Sequence, residues 1–301
     1  MSPDSAWRTR KGASVKTILV FGYGYTAHVI GQELLSEGWR VIGTTRSADK
    51  AAAMKADGIE AILWPAENIT EALTAATHIL LSAAPSEDGD PVLGALSAEI
   101  RQRAAQYEWV GYLSTTAVYG DRDGGWVDET TELSPTTRRG QLRADAEQAW
   151  LDLGAETKLP IHIFRLAGIY GPGRGPFAKV RAGTARRIIK KGQVFSRTHV
   201  EDIAQVLRAS MNAPNAGAIY NVCDNDPAPP QDVIAEAARM LDQPLPEAVD
   251  FETAEMTPMA RSFYAESKRV SNQRILEELG VTLKYPDYRS GLQALLSAES
   301  A

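Results

Sequence analysis

The feature that most constrains the fold is a glycine-rich turn between an apolar run and a helix-like segment, in the stretch ILVFGYGYTAHVIGQELL at residues 18–35. Gly22, Gly24 and Ala27 form the pattern G-x-G-x-x-A directly after the apolar run. In such a turn the first glycine permits the tight bend, the second lets a pyrophosphate approach the backbone, and the small third residue lets the helix pack on the sheet. The helix N-terminus faces the anion. The pattern therefore predicts a first βαβ unit that binds a dinucleotide.

Apolar runs alternate with helix-like segments through the first two-thirds of the chain. We predict strands at 15–22, 39–46, 60–65, 77–84, 109–116 and 160–167, and helices at 26–37, 47–57, 94–107 and 140–154. The strand candidates are nearly continuously apolar rather than alternating, which is typical of strands buried on both faces of a parallel sheet. The alternation predicts an α/β protein with a Rossmann-type, doubly wound parallel sheet.

The pattern changes after residue 170. The loop GPGRGP at 171–176 is followed by predicted helices at 177–192, 199–211, 229–241 and 268–279 and a strand at 218–223. We assign 15–170, together with 198–224, to the dinucleotide-binding domain. The segments 171–197 and 225–301 form a smaller C-terminal substrate domain, and 1–14 is predicted to be a disordered lead-in.

Composition limits the classes of partner. The net charge of −6 disfavours a nucleic-acid partner, because the surface as a whole repels a phosphate backbone. No apolar run approaches the roughly 20 residues of a membrane-spanning helix. The single Cys223 and four scattered histidines give no pattern typical of a metal site. We expect a cytoplasmic protein with a small-molecule substrate, no metal and no membrane partner, and we leave its oligomeric state open.

The end of the second predicted strand indicates which dinucleotide is bound. An NAD site places an acidic residue there for the ribose 2′-hydroxyl. This chain instead has GTTRS at 43–47, in which Arg46 is flanked by Thr45 and Ser47. A guanidinium with two neighbouring hydroxyls suits a 2′-phosphate. The sequence therefore predicts NADP as the cofactor, with NAD as the alternative.

Further motifs in order along the chain carry a family resemblance. They are the glycine turn, AAP at 83–85, LSTTAVYGD at 113–121, RLAGIYGPGR at 165–174, RTHVEDIA at 197–204 and YNVCD at 220–224. The chain resembles an atypical, extended short-chain dehydrogenase/reductase of the NAD-dependent epimerase/dehydratase family. The resemblance implies a Rossmann domain that binds NAD(P) and a small C-terminal substrate domain. The glycine turn is one residue tighter than the family's usual G-x-x-G-x-x-G.

The resemblance also implies site residues. The cofactor-binding set is Gly22, Gly24, Tyr25, Thr26, Ala27, Thr45, Arg46, Ser47, Ala83, Ala84 and Arg143. Thr115 matches the family's catalytic serine or threonine, whose hydroxyl bonds a reacting oxygen. The family's catalytic tyrosine and lysine fall on Arg139 and Arg143. An arginine cannot be deprotonated in a protein, so Arg139 cannot act as the acid or base.

Three tyrosines could replace the missing one. Tyr119 and Tyr170 match structural aromatic residues of the family pattern, so Tyr264 is the remaining catalytic candidate beside Thr115. The expected substrate-binding residues are Thr116, Arg139, Arg174, Arg197 and His199. On the predicted helix 177–192, the like charges of ARRIIKKG share one face, for which an anionic substrate is one explanation.

Two functions stay open on the sequence alone. The first is an NADP(H)-binding oxidoreductase or epimerase of atypical mechanism. The second is a catalytically silent NADP(H)-binding sensor or scaffold, which the replaced tyrosine and lysine favour. The retained Thr115, the GPGR loop and the C-terminal region favour the enzyme.

Overall fold

The computed structural model describes residues 15–299, so the predicted disordered lead-in 1–14 lies outside the described residues. A seven-stranded sheet forms the centre of the molecule, and six shorter strands pair outside it. The strands are β1 (Thr17–Phe21), β2 (Arg40–Thr45), β3 (Glu60–Leu63), β4 (His78–Leu81), β5 (Trp109–Thr115), β6 (Trp126–Val127), β7 (Ile161–Leu166), β8 (Gly168–Tyr170), β9 (Arg187–Ile189), β10 (Arg197–His199), β11 (Ile219–Val222), β12 (Ala248–Asp250) and β13 (Arg269–Val270).

Helices cover the sheet and build the C-terminal part. They are α1 (Tyr25–Ser36), α2 (Ala48–Ala56), α3 (Thr70–Ala75), α4 (Pro91–Gln102), α5 (Arg138–Thr157), α6 (Phe177–Arg181), α7 (Val200–Asn212), α8 (Pro230–Met240), α9 (Pro258–Phe263), α10 (Gln273–Glu277) and α11 (Tyr288–Glu299). None of the helices between residues 15 and 299 combines the length and the apolar character that crossing a bilayer requires.

The central sheet has the order β3-β2-β1-β4-β5-β7-β11, and every neighbouring pair is parallel. The predicted doubly wound parallel sheet is thereby confirmed. The chain runs from β1 outward to β2 and β3 and then returns to β4 on the other side of β1. Ligands of open α/β sheets bind outside the carboxyl ends of the strands at such a switch point. The candidate site is therefore expected between the ends of β1 and β4.

Successive side chains of β1 face two different helical layers, because a strand directs its side chains alternately to the two faces of the sheet. Ile18 and Val20 pack with residues of α1 and α7. Leu19 and Phe21 pack with residues of α3, α4 and α5. Both faces are buried, which explains why the strand is apolar at each position from Ile18 to Phe21.

The predicted helix 177–192 is wrong over most of its length. α6 ends at Arg181, and the chain turns through Gly183, which has a φ of 66°, before β9 begins. β9 pairs in parallel with β12, with Ile188 opposite Val249. Pairing of the β-branched residues outweighs the local helical pattern. Arg187 consequently lies on a strand, and the charges of ARRIIKKG do not share a helix face.

The predicted helix 268–279 is wrong at its start. Val270 belongs to β13 and pairs with Val127 of β6, and α10 begins only at Gln273. A partner strand that is distant in sequence decides this segment, so local periodicity could not reveal it. Beyond the central sheet, β8 pairs in parallel with β10, and α6, α8 and α11 share a separate apolar cluster.

Candidate functional site

The glycine turn joins β1 to α1 at the switch point. Gly22 has a φ of 81°, a conformation that favours glycine, and its N–H donates to Thr44 Oγ1 at 2.9 Å. A Cβ at Gly22 would lie 2.9 Å from the backbone nitrogen of Ala83, in the loop after β4. The turn after β1 and the loop with Ala83 and Ala84 therefore touch, and they form the floor of the expected cofactor site.

The second glycine opens toward free space. A Cβ at Gly24 would meet only the carbonyl oxygen of Gly22, at 3.8 Å. Gly24 is also the N-cap of α1 and makes no side-chain capping bond. Ala27 is fully buried in the core, and Thr26 is buried beside it. An open backbone cradle in front of a twelve-residue helix suits a dinucleotide diphosphate.

Tyr25 connects the glycine turn to the GPGR loop. Its hydroxyl donates to the carbonyl oxygen of Pro172 at 3.0 Å. The guanidinium of Arg174 lies over the Tyr25 ring, 4.2 Å from its centroid. The chain separation of these residues is large, so their contact is a feature that only the fold provides. Arg174 consequently lies close to the start of α1 as well as to the C-terminal part.

The end of β2 carries the residues expected at the adenosine ribose. Ser47 is the N-cap of α2 and accepts from Lys50 N at 3.3 Å, and Thr45 Oγ1 accepts from Ser47 N at 3.2 Å. Arg46 is exposed and makes no hydrogen bond or ion pair within the described part of the chain. β2 contains no acidic residue, and its charged residue Arg40 pairs with Glu60 at the opposite end of the strand.

Thr115 is the last residue of β5, at the carboxyl edge of the sheet. Its side chain is half-buried, and its Oγ1 accepts from Ala117 N at 3.2 Å. Thr116 then begins a short 3-10 turn that ends at Tyr119. We call this segment, from Thr115 to Tyr119, the Thr115 turn. The Thr115 hydroxyl keeps its proton for donation, since the one bond it makes here uses the oxygen as acceptor.

The start of α5 lies directly against this turn. Thr137 caps α5 by accepting from Gly140 N at 3.1 Å. A Cβ at Gly140 would lie 2.8 Å from the carbonyl oxygen of Ala117. Arg139, which follows the cap, is exposed and lies over the ring of Phe263 at 5.0 Å. The position of the family's tyrosine thus adjoins the Thr115 turn and is occupied by an exposed arginine.

Arg143, at the position of the family's lysine, makes contacts within the chain. It donates to the carbonyl oxygen of Leu113 and lies over the ring of Tyr112, 5.6 Å from its centroid. These contacts hold the guanidinium at the carboxyl end of β5, two residues before Thr115. The side chain remains half-buried rather than fully enclosed.

Tyr119 and Tyr170 are both buried. The Tyr119 hydroxyl donates to Asn221 Oδ1 at 2.7 Å and accepts from Arg165 Nη1 at 2.9 Å. Burial raises the pKa of Tyr119 to about 12. The Tyr170 ring packs against His199 at 5.1 Å, and its buried hydroxyl has no partner among the described residues. These surroundings are those of structural aromatic residues.

Tyr264, the predicted catalytic tyrosine, follows α9 in the C-terminal part. Its half-buried ring contacts Phe195 at 5.5 Å and Phe251 at 5.3 Å. Burial raises the pKa of Tyr264. The preceding residue, Phe263, is the one that Arg139 covers. The catalytic role of Tyr264 stays a prediction.

Arg174 and Arg197 line one cavity of about 220 Å³. Its apolar wall includes Val233 and Leu292, from α8 and α11. Arg197 Nη1 donates to the carbonyl oxygens of Phe195 and Ala228, at 2.9 and 3.0 Å. Burial lowers the pKa of Arg197, and no carboxylate lies within ion-pair distance of it in residues 15–299.

His199 occupies a different environment from the two arginines. It is the N-cap of α7, and its Nδ1 accepts from Glu201 N at 3.2 Å. It is buried, and burial lowers its pKa to about 4. The structural hydrogen-bonding role is therefore the one that its contacts show. Its Nε2 is buried without a partner among the described residues, and the predicted substrate-binding role of His199 stays a prediction.

Sequence reasoning missed a buried ion pair beside the Thr115 turn. Lys268 Nζ donates to Glu266 Oε2 at 2.5 Å and to the carbonyl oxygen of Gly120 at 2.6 Å. Glu266 Oε1 accepts from Thr136 Oγ1 at 2.7 Å. The sequence YAESKR around these residues is polar and unremarkable in composition. Only the fold brings this segment to the start of α5.

Comparison with known proteins defines the class of protein that this fold and site represent. The family model "NAD dependent epimerase/dehydratase family" matches residues 18–223. The chain belongs to this family, as the sequence motifs predicted.

Particular relatives are similar over nearly the whole chain. Protein YeeZ of Escherichia coli K12 is 28% identical over 285 residues, which cover 91% of this chain and 97% of YeeZ. A solved structure of a functionally unknown conserved protein from Silicibacter pomeroyi DSS is 61% identical, with a TM-score of 0.90 and coverage of 94% of this chain and 99% of that one. The structure of dTDP-glucose 4,6-dehydratase from Bacillus anthracis in complex with NAD has a TM-score of 0.75 at 19% identity, with coverage of 95% and 97%. At that identity the likeness shows the fold alone.

Proposed function

We propose that the chain binds NADP(H) and acts as an oxidoreductase or epimerase-like enzyme whose acid–base group is not the family's tyrosine. The observation that carries the cofactor preference is Arg46. It is an exposed guanidinium without a partner in residues 15–299, at the end of an acid-free strand and beside the N-cap of α2. A 2′-phosphate would give this charge a partner. NAD is the alternative cofactor.

The residues of the turn fit the rest of a dinucleotide. Residues 22–27 would hold the diphosphate, because Gly24 leaves the backbone open and α1 begins there. Arg143 would border the nicotinamide ribose from the end of β5. When bound, the cofactor would supply or accept a hydride at its nicotinamide ring.

Two groups of side chains would act on the substrate. The Thr115 hydroxyl would donate a hydrogen bond to the reacting oxygen, with Thr116 beside it. Arg139, Arg174 and Arg197 would bind an anionic group, because none of them has an ion-pair partner in the described chain. A small anionic carbonyl or hydroxyl compound is the substrate class that these residues favour.

The cofactor preference is tested by titrating NADP⁺ and NAD⁺ into the protein by calorimetry. Replacement of Arg46 removes a charged hydrogen bond of roughly 1.5–3 kcal/mol, so Arg46→Ala is expected to bind NADP⁺ about 10- to 150-fold more weakly. Binding of NAD⁺ should be unchanged. Arg40→Ala, at the opposite end of the same strand, is the matched control and should affect neither cofactor. Equal affinity of the unaltered protein for the two cofactors would refute the preference.

A second candidate function is a silent NADP(H) sensor. Its support is that arginine stands at the position of the family's catalytic tyrosine, where it cannot release a proton, and also at the position of the family's lysine. Measuring NADPH oxidation across a panel of acidic and neutral carbonyl compounds distinguishes the two candidate functions. Turnover with an acidic member favours the enzyme. Binding of NADPH without turnover across the panel favours the sensor.

A further inference from the structure

The cavity of about 220 Å³ that Arg174 and Arg197 line lies among the GPGR loop, β10, α8 and α11. The two arginines contribute its charged lining, and the remaining wall is largely apolar. Arg174 is exposed, which places the GPGR loop on the solvent side of the cavity. The volume equals that of roughly seven water molecules, so the cavity accommodates a ligand of about that many non-hydrogen atoms.

Arg197 has free hydrogen-bond donors at this cavity. Its Nη1 donates to the carbonyl oxygens of Phe195 and Ala228, at 2.9 and 3.0 Å. Its Nε and Nη2 have no hydrogen-bond partner within residues 15–299, yet neither of the two atoms is fully buried. These nitrogens form the edge of a guanidinium that bonds both oxygens of a carboxylate side by side. The bonds of Nη1 therefore hold the guanidinium in place and leave that edge available to a ligand.

The positive charge at the cavity is not neutralised by the chain. Asp224 attracts Arg197, but burial raises the pKa of Asp224 to about 7, and no ion pair joins the two in the described part of the chain. Asp226 is paired with Arg289 at 2.7 Å. Arg174 adds a second guanidinium, whose contact within residues 15–299 is with an aromatic ring. A partly buried charge without a counterion is costly, so an anion that enters the cavity is stabilised there.

The rest of the wall selects against a purely polar anion. Val233 of α8, Leu292 of α11 and the ring of Tyr288 line it. Tyr288 and Leu292 are 2% and 1% exposed and belong to the apolar cluster that α6, α8 and α11 share. An apolar wall with a few placed polar groups is typical of small-molecule sites. An inorganic anion would leave this wall in contact with water, whereas an apolar tail would cover it.

We propose that this cavity binds a small carboxylic acid with a short apolar tail. The carboxylate accepts hydrogen bonds from Nε and Nη2 of Arg197, Arg174 adds its charge, and the tail packs on Val233 and Leu292. Arg174 also lies over the ring of Tyr25 in the glycine turn, at 4.2 Å, so the cavity adjoins the proposed cofactor site. The inference names the class of anion for the proposed function and rests on that function for the role of the acid as substrate. Binding itself needs no cofactor.

The test uses 3-methylbutanoate, which approximates the size of the cavity, and the protein without cofactor. Ligand-observed NMR titration measures its affinity beside those of 3-methylbutanamide, acetate and inorganic phosphate. The amide has the same shape without the charge and is expected to bind about 10- to 150-fold more weakly. Acetate has the charge without the tail and is expected to bind roughly tenfold more weakly or worse. Phosphate should likewise bind more weakly than 3-methylbutanoate.

Three variants locate the binding. Arg197→Gln removes the free edge and should weaken binding of 3-methylbutanoate at least tenfold. Val233→Phe fills the apolar side of the cavity, leaves both arginines in place and should abolish binding. Arg239→Gln changes an exposed arginine of α8 that pairs with Glu236, and this control should bind as the unaltered protein does. The thermal midpoint of each variant shows whether it folds, and Val233→Phe decides the question if Arg197→Gln does not.

The opposite results overturn the inference. If 3-methylbutanoate binds no better than its amide, the cavity does not select a carboxylate. If phosphate or acetate binds as tightly, the apolar wall does not hold a tail. If the folded Val233→Phe variant keeps its affinity, the acid binds elsewhere. Binding of the acid by a protein that fails to bind NADP⁺ would support the carboxylate site and contradict the proposed function alone, so the two failures are distinguishable.

Discussion

At the residue scale, the two glycines of the same turn have different tasks. Gly22 provides a positive φ and a close approach to Ala83, so it serves the fold. Gly24 has no close neighbour outside the turn, so it is the position that we propose for the diphosphate of the cofactor. The motif G-x-G-x-x-A predicts both positions but does not distinguish them. Their surroundings do.

The pair of glycines allows a controlled test of the cofactor site. Gly24→Val is expected to abolish NADP(H) binding, because its side chain enters the space left for the diphosphate. Its thermal midpoint should stay within a few degrees of that of the unaltered protein. Gly22→Ala is expected to lower the midpoint instead, since its Cβ meets Ala83 and its φ is unfavourable. Retained cofactor binding in Gly24→Val would mean that the dinucleotide lies elsewhere.

At the element scale, α5 carries a proposed site residue in its first turn and a structural ion pair in its middle. Its first turn carries Arg139 against the Thr115 turn. Glu147, one helical turn after Arg143, is buried. Its carboxylate accepts hydrogen bonds from Ser114 Oγ and from Arg165 Nη2, the second at 2.8 Å. Arg165 in turn donates to Tyr119. The helix is thereby anchored to β5 and β7, and the altered first turn is presented on a fixed scaffold.

This anchor predicts unequal effects of two substitutions in one helix. Glu147→Ala leaves the guanidinium of Arg165 buried without its partner, so the free energy of unfolding should fall by about 3–5 kcal/mol. Glu156→Ala breaks the exposed ion pair with Arg101 and should cause no measurable loss. Urea unfolding of both variants checks this. Similar stabilities for the two would show that the buried pair does not anchor α5.

At the scale of the whole molecule, three of the four histidines are buried and uncharged. His78, His162 and His199 are 1%, 0% and 1% exposed, and burial lowers the pKa of each to about 4. His162 Nε2 accepts from Asn215 N at 2.9 Å, which requires the unprotonated ring nitrogen. Asp224 is the opposite case, because burial raises the pKa of its carboxyl to about 7.

These groups predict loss of stability in mild acid. Between about pH 4 and pH 6.5, each buried histidine binds fewer protons in the folded than in the unfolded state, so stability falls as the pH falls. Asp224 binds more protons in the folded than in the unfolded state across this window, so it offsets the contribution of about one of the three histidines. For these four groups together, the net uptake of about two protons on unfolding corresponds to a drop in the free energy of unfolding of roughly 2–3 kcal/mol per pH unit near pH 5. Burial also raises the pKa values of Glu33, Glu129 and Asp202, which makes the measured slope smaller than this.

This slope is measured by urea unfolding at several pH values between about pH 4.5 and pH 7. His162→Gln should reduce it by about one proton's contribution. His28→Gln is the control, because the His28 side chain is half exposed, and it should leave the slope as it is. A stability that is constant or rises toward low pH would contradict the prediction.

The sequence by itself determined the sheet, the glycine turn and the family. Strands buried on both faces are apolar at most positions, and a diphosphate turn needs small residues at fixed spacing, so both leave a local signature. The same reasoning failed at 177–192 and 268–279, where pairing with distant strands decides the conformation. Only the tertiary structure placed Lys268 and Glu266 beside Gly120 and Thr136. Contacts across more than a hundred residues arise from the packing of the whole chain, and no local spacing records them.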